Sequence, residues 1–183
     1  MEEAGGGGSL SLRLQKKVAG KLGNRWVATH LVSEPVARLL DTTHASLKFV
    51  YDKKRAEKTV KGVIKTVAKV NLLDREDQLS KKDKDQLAQF ASKFHALLLT
   101  VSSFIQVEYS YDRAFLVQSL KQCEELLRSV VSRHLTGKSV ERLERTFETF
   151  SSASFLDSFF TAKELAQQRN DVVLQLAPIL QPL

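Results

Sequence analysis

The stretch KRAEKTVKGVIKTVAKV at residues 54–70 decides the fold class of this chain. Its valines recur three or four residues apart, which places them on one face of an α-helix. These valines are Val60, Val63, Val67 and Val70. The lysines fall within about 80° of each other on the opposite side, by the helix period. They are Lys54, Lys58, Lys61, Lys65 and Lys69. The stretch therefore predicts an amphipathic helix with a basic outer face.

Few residues that break helices occur on either side of this stretch. No proline lies between Pro35 and Pro178, and that span contains only two glycines, Gly62 and Gly137. The same helical spacing recurs from Ser9 onwards, and no long run alternates as a strand would. We therefore predict an all-α fold, a single antiparallel bundle of about six to seven helices.

The chain divides into a short tail and one domain. Residues 1–8 are predicted to be a flexible Gly-rich tail, and residues 9–183 a single helical domain. The sequence GGGGS at residues 5–9 is either native low complexity or an artificial linker.

Local signals predict where the helices begin and end. The triplet at residues 33–35, Ser-Glu-Pro, is typical of a helix start, and a break is expected near Asp52. Ser80 is predicted to cap the fourth helix, and Gly137 to end the fifth. Residues 161–164, Thr-Ala-Lys-Glu, form a capping-box pattern that predicts the start of the last helix.

The first helix is predicted to be long, basic and amphipathic. One face carries large apolar residues at intervals of four, and an adjacent face carries cations at the same interval. The apolar residues are Leu14, Val18, Leu22 and Trp26. The cations are Arg13, Lys17, Lys21 and Arg25.

Composition favours a basic protein of a reducing compartment. The 183 residues include 28 Lys and Arg against 21 Asp and Glu, a formal net charge of +7. The lone Cys123 supports neither a disulfide framework nor a Cys-based zinc site. The acidic, Gly-rich start is unlike a signal peptide, and the apolar run at residues 97–105 is about half of a membrane span. We expect a cytoplasmic protein with peripheral association at the plasma membrane.

No pattern of residues predicts catalysis, a metal site or a cofactor. The sequence HLTGKS at residues 134–139 lacks the second glycine and the preceding strand of a phosphate-binding loop, so a helix cap is the simpler interpretation. The acidic run at residues 74–79 lacks the glycine of a calcium loop. The four histidines have no partner three or four residues away. We predict that the chain is not an enzyme.

The basic surface is the informative feature. A lysine row is often only a solvated face, but here the first and third helices both concentrate cations, which indicates an anionic partner. Nucleic acid is not predicted, because the rows have almost no aromatic residues for stacking and almost no Asn or Gln for base edges. Anionic lipid headgroups fit better, since they need no base readout.

Five blocks of sequence, in the same order and with closely similar spacing, resemble the TNF-alpha-induced protein 8 family, also called TIPE. The blocks lie at residues 9–17, 63–70, 106–113, 133–139 and 155–160. The resemblance implies a helical bundle around an apolar cavity for phospholipid tails, with a basic entrance that binds phosphoinositide headgroups. It also implies roles as lipid carriers and signalling adaptors in inflammation and cell death.

The family's headgroup cations are kept at four positions of this chain: Lys16, Lys17, Arg25 and Arg75. Two further basic positions fall on Ala91 and His95, which leaves Lys93 as the nearest cation there. Lys65 completes the predicted headgroup site. The family's His-Gly pair is Val140-Glu141 here, which marks a divergent member.

Apolar stripes are more often ordinary core than a lipid tunnel, but with the resemblance we favour a cavity. The predicted tail-binding residues are Leu14, Val18, Val63, Val67, Phe90, Phe94, Leu98, Phe104, Leu120, Phe147 and Phe150. The leading hypothesis is a phospholipid-binding and transfer protein whose partners are phosphoinositides, other anionic phospholipids and the inner leaflet. The alternative is a homotypic adaptor that resembles death-effector domains and has no lipid function.

Overall fold

A computed structural model describes residues 9–21 and 34–181, and the chain over these residues is helical, with no strand. It confirms the all-α prediction. The described residues form eight α-helices and one 3₁₀ turn, Lys163–Leu165, before the last helix. The helices are α1 (Leu10–Lys21), α2 (Glu34–Val50), α3 (Lys53–Arg75), α4 (Lys81–Gln106), α5 (Arg113–His134), α6 (Gly137–Ser151), α7 (Ala153–Thr161) and α8 (Ala166–Leu180).

The described residues alone form more helices than the predicted six to seven, because the short aromatic segment α7 is a helix of its own. The predicted tail at residues 1–8 lies outside the described residues. So do Leu22, Arg25 and Trp26 of the predicted first helix.

Six helices pack in a closed ring. In order around the ring, α2 packs on α3, α3 on α6, α6 on α5, α5 on α4, α4 on α8, and α8 returns to α2. The short α7 contacts α2 on one side of the ring and α5 and α6 on the other, so it crosses between the two sides. Helix α1 packs on α2 and α3. In this order α3 and α4 stand on opposite sides of the ring.

The core is assembled from one apolar face of each ring helix. Leu47 of α2, Leu116 of α5 and Leu176 of α8 are almost completely buried, and Phe155 and Phe159 of α7 join them. Full burial of one such side chain stabilises the fold by roughly 1.5–3 kcal/mol. The core therefore holds α7 against the ring.

Two predicted helix starts are confirmed by their hydrogen bonds. The Asp52 carboxylate accepts from the backbone N–H of Arg55 at 2.8 Å and caps α3. Ser80 and Asp83 form a reciprocal capping box at the start of α4, in which each side chain accepts from the other residue's backbone N–H. Both caps satisfy N–H groups that a helix start leaves unpaired.

The start predicted at residues 33–35 agrees with α2, which begins at Glu34, but two other predicted boundaries are wrong. Gly137 does not end α5, which stops at His134; it is the first residue of α6. The chain leaves α5 through Leu135 in an extended conformation that any residue adopts, so no glycine is needed. Thr161 does not cap the last helix, because it is the last residue of α7 and its hydroxyl donates to the carbonyl of Asp157.

Candidate functional site

One residue on the valine face of α3 is exposed, although its neighbours on that face are buried or partly buried. Val60 is fully buried, whereas Val67 is 46% exposed two turns later. Around the helix axis, Val67 lies between Ile64 and Thr66, which are both buried. An exposed apolar residue in the middle of a buried face borders open space rather than packed core.

A similar exposure occurs on α4, across the ring. Phe94 is 37% exposed although it lies within the apolar stripe of Phe90, Leu97 and Leu98, and its ring stacks on that of Phe90 with centroids 5.5 Å apart. The apolar stripes of α3 and α4 thus each contain an exposed member.

The other predicted tail-binding residues are less exposed. Val18 is buried and Val63 is partly buried. The rest are partly buried and pack against the central core: Leu14, Phe90, Leu98, Phe104, Leu120, Phe147 and Phe150. Two of them, Phe104 and Phe150, also meet other aromatic rings, Phe104 that of Phe160 at 6.2 Å and Phe150 that of Phe155 at 5.8 Å. These two side chains serve the packing of α7.

A basic groove of about 670 Å³ lies between α3 and α6. Its lining holds seven cations and only two carboxylates, so a strongly positive potential is expected there. The lining residues are Asp52, Lys54, Arg55, Lys58, Thr59, Lys61, Gly62, Lys65, Arg142, Arg145, Thr146, Glu148 and Thr149.

Gly62 lets α3 and α6 approach closely at the floor of this groove. A Cβ atom at residue 62 would stand 2.5 Å from Oγ1 of Thr146, closer than two such atoms can come, and 3.5 Å from Cγ of Arg142. Further along the two helices, Nζ of Lys69 donates to Oγ of Ser139 at 2.9 Å. The absence of a side chain at Gly62 therefore positions Arg142 beside the lysines of α3.

The cations of the groove are crowded and partly withdrawn from water. Nη1 of Arg142 is buried and has no hydrogen-bond partner. Burial lowers the pKa of Lys65, and the charges of Arg142, Lys61, Lys21 and Lys69 lower it further. Burial, followed by the charge of Arg142, also lowers the pKa of Lys69. The groove thus holds positive charge without enough negative charge to balance it.

The structure brings only some of the predicted headgroup residues together. Lys16 and Lys17 are exposed on α1, whose packing on α3 places Lys21 near Lys65. Arg75 is exposed at the end of α3. Lys93 is on α4, across the ring from Lys65, and donates to Oε1 of Gln122 at 3.0 Å. Arg25 lies outside the described residues.

Sequence reasoning missed Arg142 and Arg145. Their spacing of three residues places them on one side of α6. The helical spacing of apolar and charged residues over 140–150 could have predicted this. It was overlooked because the acids Glu141, Glu144 and Glu148 are interleaved with them, so the segment has no lysine row.

The acids of α6 line a second groove, of about 560 Å³, beside α5. It contains Glu124, Glu141, Glu144 and Glu148, and shares Arg145 and Glu148 with the basic groove. Burial, and then the charge of Glu144, raises the pKa of Glu124. Helix α6 therefore separates a basic groove from an acidic one.

Two residues of the motif at residues 133–139, Arg133 and His134, bind the carboxylate of Asp83. The Asp83 carboxylate, 2% exposed, accepts from Nε of Arg133 at 2.9 Å and from Nε2 of His134 at 2.9 Å. The pKa of Asp83 is lowered, chiefly by the hydrogen bond from the Ser80 hydroxyl and also by those from His134 and Arg133. This cluster joins the start of α4 to the end of α5.

The described part of the chain holds neither a cluster of metal ligands nor a helix suited to cross a membrane. Over residues 9–21 and 34–181, no three His, Cys, Asp or Glu side chains are grouped as metal ligands would be. None of the helices within the same ranges combines the length and apolar character that crossing a membrane requires.

Comparison with known proteins identifies the family of this all-helical chain. The model of the "tumor necrosis factor alpha-induced protein 8-like" family matches residues 7–181. Tumor necrosis factor alpha-induced protein 8 of Mus musculus is 37% identical over 153 residues, which cover 83% of this chain and 77% of that protein. Its Xenopus laevis counterpart is 38% identical over 154 residues, 83% of this chain and 82% of the relative.

A relative of a second kind supports the same assignment. The tumor necrosis factor alpha-induced protein 8-like protein 1 of Gallus gallus is 32% identical over 157 residues, 85% of this chain and 84% of its own length. The chain belongs to the tumor necrosis factor alpha-induced protein 8 family.

Proposed function

We propose that this chain is a non-enzymatic phospholipid-binding and transfer protein that acts in immune and cell-death signalling. Its family membership supports the signalling role. The lipid role rests on the exposed apolar residues of α3 and α4 and on the basic surface of α1 and α3.

The exposure of Val67 and Phe94 carries the lipid proposal. Both lie on apolar stripes that are otherwise mostly withdrawn from water, and they belong to helices on opposite sides of the ring. An acyl chain lifted from a bilayer loses about 0.8 kcal/mol per methylene unless apolar walls receive it. Space between these two walls would receive it, while α7 fills the part of the ring that it crosses.

The basic surface would bring the ring to an anionic membrane. Lys16, Lys17 and Lys21 lie on α1, and Lys65 lies close to Lys21. Each cation near an anionic surface contributes about 1 kcal/mol of attraction. The proposed membrane is the inner leaflet of the plasma membrane, bound peripherally.

The geometry of α3 separates Lys65 from the tail-binding residue Val67. Residues 65 and 67 project about 160° apart around α3, since successive residues turn by about 100°. A lipid whose tails contact Val67 therefore does not place its headgroup beside Lys65. We assign that headgroup to Lys16 and Lys17, which are exposed on α1, and to Arg75, which is exposed at the end of α3.

Native mass spectrometry and vesicle transfer test the tail site. We expect phospholipid to co-purify with the chain, and phosphoinositide to move from donor to acceptor vesicles. Val67→Trp should fill the space and reduce transfer at least tenfold. Val107→Trp, the same change at an exposed residue just after α4, is the control. Lipid-free protein, or equal transfer by the two variants, would contradict the tail site.

A charge reversal tests the headgroup site separately. Lys16→Glu with Lys17→Glu should abolish most binding to phosphoinositide vesicles, and added salt should weaken the wild-type interaction because it screens exposed charges. Circular dichroism should be unchanged, since both side chains are exposed. Undiminished vesicle binding by this double variant would reject the assignment.

The adaptor function remains the second candidate, and the paired grooves favour it. The acidic groove at Glu141 and Glu144 would complement the basic groove of a second copy. Sedimentation at low and high salt tests this idea. Self-association that Glu141→Gln and Glu144→Gln abolish, in a chain that never transfers lipid, would favour the adaptor.

A further inference from the structure

We propose that the groove between α3 and α6 is a binding site for a small, multiply phosphorylated molecule, with the guanidinium of Arg142 at its floor. The site is separate from the tail space, because Lys65 and Val67 project on opposite sides of α3. A chain that carries no lipid would still bind phosphate groups here.

The surroundings of Arg142 suit an anion. Its Nη1 is buried and donates no hydrogen bond, and its charge acts on Lys65 and Lys69. Burial of an unpaired cation among other cations is unfavourable unless an anion joins them. A guanidinium also presents parallel N–H donors that match the oxygens of a phosphate.

The size and charge of the groove favour several phosphate groups on one small molecule. Its volume, about 670 Å³, lies within the range of small-molecule sites. Lys54, Lys58, Lys61 and Arg145 add to the charge of Lys65 and Arg142, and Asp52 and Glu148 oppose it. One monovalent anion would leave most of these cations unbalanced.

The shape of the groove depends on the contact between Gly62 and Thr146. The two helices can approach here only because residue 62 has no Cβ. The Thr146 hydroxyl donates to the carbonyl of Arg142 at 2.8 Å, so its hydrogen is not free to bind a ligand. The donors of the groove are therefore concentrated on lysine and arginine side chains.

Phosphate groups in this groove could belong to a soluble polyphosphate or to a headgroup that stays in the membrane. Calorimetric titration of the full chain with inorganic tripolyphosphate and with inositol hexakisphosphate tests the soluble source. Vesicles that contain phosphatidylinositol bisphosphate, compared with vesicles of phosphatidylserine, test the membrane source, and Arg142→Gln separates binding in the groove from binding at Lys16 and Lys17.

Matched variants locate the site. Arg142→Gln should weaken tripolyphosphate binding at least tenfold, and Lys58→Gln with Lys61→Gln on the rim should weaken it by a similar factor. Lys82→Gln, an exposed cation at the start of α4 across the ring, should leave it unchanged. Val67→Trp should also leave it unchanged, so failure of the tail proposal is distinguishable from failure of this one.

Thermal unfolding gives an independent readout. Without phosphate ligand, Arg142→Gln should raise the unfolding midpoint, because it removes a partly buried cation that stands among other cations. Tripolyphosphate should raise the midpoint of the wild type more than that of Arg142→Gln. If Arg142→Gln fails to fold, the tripolyphosphate affinity of Lys58→Gln with Lys61→Gln tests the proposal instead. Tripolyphosphate affinity equal in wild type, Arg142→Gln and the rim variant, or no binding by the wild type to either soluble probe or vesicle, would overturn the proposal.

Discussion

Ser11 of α1 is bound at two atoms by Asp41 of α2. The Asp41 Oδ1 atom accepts from the backbone N–H of Ser11 at 2.9 Å and from its hydroxyl at 2.7 Å, and Oδ2 accepts from the Ser9 hydroxyl. A carboxylate at a helix start also interacts favourably with the helix dipole. This contact fixes the first turn of α1, the helix that carries Lys16 and Lys17, against the ring.

Asp41→Ala should therefore release α1 while the ring remains folded. Three hydrogen bonds to a charged group are lost, and we expect about 2 kcal/mol less protection of the α1 amides. Hydrogen exchange followed by mass spectrometry should show faster exchange in α1 alone. Asp171→Ala is the control, because its carboxylate meets Gln167 of the same helix. Unchanged exchange in α1 would contradict the role of Asp41.

Gly62→Ala should destabilise the fold unless Thr146 is changed too. An alanine gains about 1 kcal/mol of helix propensity, but the clash with Oγ1 of Thr146 costs roughly 1–3 kcal/mol. We expect a net loss of about 1 kcal/mol in the single variant. The same change in a Thr146→Ala background should give a gain instead. Denaturant unfolding of the four proteins measures this coupling, and simple additivity would argue against the close approach.

Asp83→Ala should separate α4 from α5 at neutral pH. It removes the capping box and the contacts with Arg133 and His134, and we expect a loss of about 2 kcal/mol. Asp85→Ala, an exposed neighbour on α4, is the control.

The Asp83 effect should also depend on pH in a defined direction. Because the folded pKa of Asp83 lies below its unfolded value of 3.8, its contribution is present above pH 3.8 and is lost as the pH falls further. The stability difference between wild type and Asp83→Ala should therefore shrink below about pH 4. A difference that persists unchanged at lower pH would contradict this.

Lys65 should make stability rise with pH in the alkaline range. Its folded pKa lies below 10.5, so between the two values the unfolded chain binds more protons than the folded chain, and stability rises with pH. Lys65 contributes least to the stability of the fold at a pH below its folded pKa, because the crowded side chain is then charged. The stability difference between wild type and Lys65→Gln should therefore move in favour of the wild type as the pH approaches 10.5. Saturating tripolyphosphate should reduce the gain.

The sequence predicted well what depends on neighbours along the chain. Periodic valines and lysines on one segment specify a helix with two faces, and Asp52 and Ser80 specify where helices begin, because a cap needs only the next three residues. The predictions for Gly137 and Thr161 were wrong because each residue lies where one helix ends and the next begins within a few residues. There the chain can turn at more than one residue, and packing selects the turn.

The sequence by itself determined the helices, the basic face of α3 and the exposure of Lys16 and Lys17, since these follow from residue types at helical spacing. Only the tertiary structure decided that Arg142 joins Lys65, that Lys93 lies across the ring, and that Val67 stays exposed while Val60 is buried. Those facts depend on which helices pack together, and residues 62 and 146 meet across 84 positions of chain. Contacts between helices distant in sequence leave no periodic signal on either helix alone.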